Sequence, residues 1–110
     1  MYEIEEYTTE DGHTPFSEWL LGLRDRRAQA RILSRLDRVQ LGNLGDWKAL
    51  GGRHGLAELR DPYGPGLRIY FAIIGGRVVL LLAGSTKRDQ RSAIRRAEVH
   101  LDDFLRRTRP

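Results

Sequence analysis

The stretch Leu67 to Gly84, LRIYFAIIGGRVVLLLAG, limits the possible folds more than any other part of this chain. Two apolar runs of strand length flank Gly75 and Gly76. A pair of glycines between such runs marks a two-residue hairpin, because both turn positions require positive φ. An isolated hairpin is marginal in water, so further strands and an apolar layer are required. A third run, 56–60, precedes it across the turn sequence DPYGPG, and strands are predicted at 56–60, 67–74 and 77–84. Strand parity places Leu67, Ile69, Phe71 and Ile73 on one face and Arg68, Tyr70 and Ala72 on the other. The first set is expected to lie beneath helices.

The rest of the chain supplies those helices. YEIEEYT (2–8) alternates loosely and is expected as a first strand, followed by turn chemistry in EDGH. Thr14 reads as a cap and Pro15 as a first helical position. Phe16, Trp19, Leu20 and Leu23 then form one apolar stripe. Asp25 reads as a second cap. Ala28, Ile32, Leu36 and Val39 mark an amphipathic helix to about Gln40. GNLGDWKALGGRHG (42–55) holds five glycines without a period and is expected as loop. From Asp89 on, Ile94, Ala97, Leu101, Phe104 and Leu105 mark a last helix. The expected order is β-α-α-β-β-β-α. This is an α+β class in which a helical hairpin and a C-terminal helix pack on a small antiparallel sheet. No repeat or linker interrupts it, so residues 1–110 are expected to form one domain.

Composition excludes several function classes. Without cysteine there is neither a disulfide framework nor thiolate chemistry. The longest apolar run, VVLLLA (78–83), is far too short to span a bilayer, and the acidic MYEIEEYTTEDGH lacks the features of a signal peptide. A cytoplasmic location with no membrane partner is therefore expected. Net charge is +4, and of 19 basic residues all but Lys48 and Lys87 are arginine. A compositional bias toward arginine accounts for most of this. The two lysines stand out against it, because lysine can take part in proton transfer whereas arginine stays charged.

Chemistry gathers around the hairpins. If the 56–74 hairpin is symmetric about Gly64, Arg60 lies opposite Arg68 and Glu58 opposite Tyr70. Two opposed guanidiniums destabilise a hairpin unless a carboxylate or an anion lies between them. Either Glu58 or Asp61 neutralises the pair, or the face grips a phosphate through bidentate donors. Arg24, Arg27, Arg31, Arg35 and Arg38 fall along one side of the second helix. A solvated face is the ordinary reading, and an RNA backbone is the partner that would reward the charge. AGSTKRDQRS (83–92) closes the last strand with Ser85, Thr86, Lys87 and Arg88 at a helix start, a capped turn that also suits an anion. His13, His54 and His100 lack metal-ligand spacing, so no metal or cofactor is expected. His54 is a surface histidine or a titratable group near the arginine pair. No Walker sequence and no Ser-His-Asp arrangement is present.

FSEWLLGLRD, ARILSRLDRVQLGNLGDWKAL, GLAELRDPYGPGLRIYF and VVLLLAGSTKRDQRSAIRRA, in that order, resemble the RelE/ParE superfamily of toxin–antitoxin toxins. More narrowly they resemble its HigB-like addiction-module killer branch, over Phe16 to Ala97. The resemblance implies a two-helix hairpin on an antiparallel sheet and a ribosome-associated, metal-independent mRNA endoribonuclease. It also implies a small helix-turn-helix antitoxin as partner. In that family the 2′-hydroxyl attacks the neighbouring phosphate while strand arginines steady its charge. Arg68 matches the strand arginine, and Lys87 with Arg88 the basic pair after the last strand. With the charge pattern beside the resemblance, Arg60, Arg68, Lys87 and Glu58 are expected in catalysis, and Lys48, Arg88, Tyr70, Arg24, Arg27, Arg31 and Arg35 on RNA. The sequence departs from RelE itself, which has lysines where Leu56 and Glu58 stand and a tyrosine at Ile94. The general base is thus unassigned, with Glu58 and His54 as candidates on chemistry alone. Two alternatives accompany this reading: a ParE-like gyrase inhibitor without nuclease chemistry, and an inactive basic RNA-binding module.

Overall fold

The computed structural model describes residues 1–52 and 54–109. Its elements in chain order are β1 (Glu3–Glu6), α1 (Pro15–Gly22), α2 (Arg26–Gln40), β2 (Trp47–Gly51), β3 (Leu56–Asp61), β4 (Leu67–Ile74), β5 (Val78–Thr86) and α3 (Gln90–Arg107), with a 3₁₀ turn at Lys87–Asp89 before α3. The five strands form one sheet in the order β1-β5-β4-β3-β2.

Two sequence expectations are corrected. The glycine-rich segment 42–55 is not all loop, since Trp47–Gly51 pairs antiparallel with β3 as an edge strand. Most of its residues are exposed, so it lacks the apolar period that would betray it; backbone pairing holds it instead. The sheet is also mixed rather than antiparallel, because β1 runs parallel to β5, with Ile4 beside Val79. The parallel pairing follows from the α1–α2 hairpin, which carries the chain from one sheet edge to the other.

Both faces of the sheet are covered. Ala57, Leu59, Leu67, Ile69, Phe71, Val79 and Leu81 meet Phe16 of α1 and Ala28, Ile32 and Val39 of α2. On the other face Leu56, Tyr70, Ala72, Leu80, Leu82 and Ala83 meet Ala93, Ala97 and Leu101 of α3. This two-sided burial is why β4 and β5 read as near-continuous apolar runs. The Gly75–Gly76 turn forms as expected, with φ of 61° and 71°. Asp25 caps α2 by accepting from the backbone N–H groups of Arg27 and Ala28.

A bulge in β5 decides which way the end of that strand faces. Tyr70 pairs with Ala83 and Phe71 with Leu81, so Leu82 has no partner in β4. The extra residue reverses the side-chain parity of the strand beyond it. Gly84 therefore faces α1, and Ser85, paired with Arg68, joins the face beneath α3.

Candidate functional site

The end of the sheet where β3 stops and β4 begins carries the densest charge. Arg60 and Arg68 are direct cross-strand partners, and Glu58 lies opposite Tyr70, the register that symmetry about Gly64 predicts. An open cleft of about 460 Å³ lies against them, lined by Asp46, Arg60, Pro62, Gly64, Pro65, Gly66, Arg68 and Lys87. Gly66 is required there: its φ is +85°, and a β-carbon would stand 3.1 Å from Cβ of Lys87. That close approach lets the Lys87 N–H donate to the Gly66 carbonyl at 2.9 Å and fixes the lysine on the rim.

Neither carboxylate expected to neutralise the arginine pair does so. Glu58 is 1% exposed, and its two oxygens accept from Nε2 of Gln90 at 3.1 and 2.8 Å. Asp61 turns to the other face and accepts from Nε and Nη2 of Arg31 at 2.9 and 3.1 Å. Burial pushes the Asp61 carboxyl up, but the hydrogen bonds from Arg31 and from the Tyr63 N–H, with the charges of Arg31 and Arg35, outweigh it and hold it low. Among the described residues the one carboxylate that Arg60 meets is the exposed Asp46, at 3.1 Å. Arg68 has no carboxylate partner among the described residues; one terminal N–H donates to the Leu67 carbonyl. The buried Nε of each arginine has no hydrogen-bond partner among the described residues.

The other expected site residues divide. Arg60, Arg68 and Lys87 converge on the cleft, and Arg88 follows Lys87 in the exposed 3₁₀ turn. Lys48 lies on β2 opposite Glu58, exposed but outside the cleft lining. Tyr70 cannot meet a polymer: it is fully buried, and its hydroxyl pairs with Oγ of Ser85 at 2.9 Å. Burial raises its pKa, with Ser85 opposing. Glu58, enclosed between Gln90 and the sheet, is no exposed general base.

Arg35 leaves the solvent-facing stripe entirely. Its guanidinium is buried and donates to the carbonyls of Arg60, Leu44 and Asp46, pinning the turn that presents Asp46 to the cleft. Desolvation lowers its pKa, and nearby Asp61 opposes this. Arg31 is committed to Asp61 and lies 5.3 Å over the Tyr63 ring. Arg24 and Arg27 remain exposed at the start of α2, on the side of the molecule that α1 and α2 cover.

His54 is far from the arginines. It precedes β3 and pairs with Asp102 of α3 at 2.9 Å, beside a small cavity of about 40 Å³. The turn at Gly55 and the strand residues Leu56 to Leu59 lie between it and Arg60. Sequence reasoning missed Asp46 and Gln90. Asp46 sits in a stretch read as loop, and Gln90 reaches Glu58 only because α3 folds back over the sheet.

These features define a class: an α+β domain whose five-stranded mixed sheet is covered on both faces and bears a cationic cleft at one end. No known family model matches the chain. It is 39% identical over 84 residues to an uncharacterized protein of Haemophilus influenzae, covering 76% of this chain and 83% of that protein. The chain belongs to the same family as that protein.

Proposed function

We propose that the protein is the toxin of a type II toxin–antitoxin pair, acting as a metal-independent endoribonuclease on messenger RNA at the ribosome. The observation that carries this reading is the opposed Arg60–Arg68 pair, which no buried carboxylate neutralises, in an open cleft with Lys87 on its rim. Opposed like charges cost stability, and an anion seated between them removes that cost. A phosphodiester fits: it is singly charged, and its two non-bridging oxygens suit guanidinium forks. The resemblance of the ELR, GPGLRIYF and STKRDQ segments to RelE- and HigB-like toxins supports the same anion and supplies the polymer, partner and cytoplasmic setting.

In the proposed reaction the 2′-hydroxyl oxygen bonds to the adjacent phosphorus and the P–O5′ bond breaks, leaving a 2′,3′-cyclic phosphate and a 5′-hydroxyl. Arg60 and Arg68 hold the charge that grows on the non-bridging oxygens. Lys87 adds a third positive charge beside the leaving oxygen. The proton lost by the 2′-hydroxyl passes to Asp46, the carboxylate in the cleft lining, and the leaving O5′ takes one from water.

The test is cleavage of messenger RNA, in cells by primer extension and in vitro with ribosomes. Arg68→Ala should keep the fold and lose about a hundredfold in rate, since one donor to a transition-state oxyanion is worth about 3 kcal/mol. A soluble Arg68→Ala protein with full toxicity would falsify the phosphate clamp. Growth arrest with intact message and inhibited DNA supercoiling would assign the fold to gyrase inhibition instead.

A further inference from the structure

The outer face of α3 carries a run of cations that the arginine stripe of α2 does not match. Lys87, Arg88, Arg91 and Arg95 are all exposed, and none makes an ion pair among the described residues. At 100° per residue, Arg91 and Arg95 fall within about 40° of one another on α3, and Arg88 precedes them in the 3₁₀ turn. Both helical arginines are exposed, whereas Ala93, Ala97 and Leu101 are buried against the sheet. Successive members are separated by roughly 5 Å along the axis. The row begins at Lys87, which lines the cleft, and so extends the cleft's charge along the helix.

Compositional bias does not explain how this helix distributes its charge. In the distal half of α3, Arg106 and Arg107 both pair with Asp103, and Asp102 takes His54. In the half next to the cleft the cations are unpaired. They also occupy the wrong end of the helix. The N-terminus carries the positive pole of the macrodipole, where cations destabilise, and the first turn of α3 contains no acidic residue. Asp89, which could have compensated, makes no side-chain capping bond. Lys87 and Arg88 just before the helix and Arg91 in its first turn break this rule beside a cleft, which keeps the charge for a partner. Arg24, Arg26 and Arg27, which also make no ion pair among the described residues, surround Asp25 and belong to the helix layer on the opposite sheet face.

We infer that Arg88, Arg91 and Arg95 form a track for the backbone of single-stranded RNA, carrying the phosphates that flank the one held by Arg60 and Arg68. This rests on the reading of the cleft as an RNA site and adds the path of the strand beyond it. The occupant is a polyanion with evenly spaced charges, because the cations recur at regular helical spacing without an apolar anchor between them. Aromatic stacking platforms are absent from the row, so the track reads backbone and not sequence.

The experiment measures anisotropy of a labelled 2′-O-methyl oligonucleotide, which keeps its phosphates but has no 2′-hydroxyl to attack, against salt concentration. Wild type is compared with Arg88→Gln/Arg91→Gln/Arg95→Gln and with Arg24→Gln/Arg26→Gln/Arg27→Gln. Glutamine keeps helix propensity while removing charge. Losing three phosphate contacts should lower the slope of log K against log salt by about 2 and weaken binding roughly tenfold at low salt. The α2 variant should stay near the wild-type slope. A wild-type slope in the α3 variant, or an equal loss in the α2 variant, overturns the track. So does displacement of the oligonucleotide by polyglutamate at matched charge, which would assign the row to an acidic peptide. Cleavage of unmodified RNA is scored separately. An α3-dependent slope without any cleavage keeps the track and removes the nuclease reading, whereas cleavage with an unchanged slope does the reverse.

Discussion

A β-carbon at Gly84 would stand 2.1 Å from Cε3 of Trp19, with two further ring atoms inside 2.6 Å. The indole of α1 thus lies flat on the β5 backbone, and only glycine admits it. Gly84→Ala should cost roughly 3 kcal/mol, the upper end for overpacking, because a ring wedged between helix and sheet has nowhere to move. Chemical denaturation checks this. Combining it with Trp19→Leu should cost less than the sum of the two single changes, and strict additivity would remove the contact from the explanation. The sequence alone offered no warning: Gly84 read as part of an anion-binding turn, and its contact with Trp19 spans the chain. The opposed Arg60 and Arg68, by contrast, were legible, because a short glycine-rich turn ties register to local spacing. Where Glu58, Tyr70 and Arg35 go was not. Each is decided by an element distant in sequence: α3 brings Gln90 to Glu58, the β5 bulge brings Ser85 to Tyr70, and the turn before β2 brings carbonyls to Arg35.

At the scale of elements, periodicity found those that bury a face and missed the one that does not. The helices and β3 to β5 declare themselves because a sheet buried on both sides and amphipathic helices impose apolar patterns. β2 escapes because an edge strand with mostly exposed side chains imposes none. The start of α3 illustrates a different legibility. Its apolar positions locate it, while its arginines conflict with the helix that carries them. Arg91→Glu should therefore stabilise the protein by about 1 kcal/mol. It removes repulsion with Arg88, places a carboxylate at the positive helix end and adds an acidic partner four residues before Arg95. Thermal unfolding reads the gain, and RNA affinity in the same preparation should fall. A variant that gains no stability would mean that the cations cost the helix nothing, and the argument from the broken rule would fail with it.

Over the whole molecule, the two ends of the chain are joined where α3 crosses beneath the segment after β1. The Tyr7 hydroxyl donates to Oδ2 of Asp103 at 2.6 Å, Arg107 pairs with the same carboxylate, and the Tyr7 ring stacks on His100 with centroids 4.8 Å apart. Burial holds the His100 pKa below its usual value; the Arg96 charge acts in the same direction, and Asp103 opposes them. The unfolded chain, with an ordinary imidazole, therefore binds a proton at higher pH than the folded one does. His100 thus contributes no penalty above about pH 6.5 and withdraws stability as pH falls from there toward its lowered folded value. His13 acts oppositely in the same range, since Glu18 first and Asp11 after it raise its pKa, so protonation there favours the folded state. Raw stability curves mix the two, and the informative quantity is a difference. Wild type should be more stable than His100→Gln at pH 8, where the neutral ring stacks on Tyr7, and the margin should narrow steadily toward pH 5. A margin that stays constant across that range would mean the imidazole titrates alike in both states, and the stacking on Tyr7 would then be packing without a charge penalty.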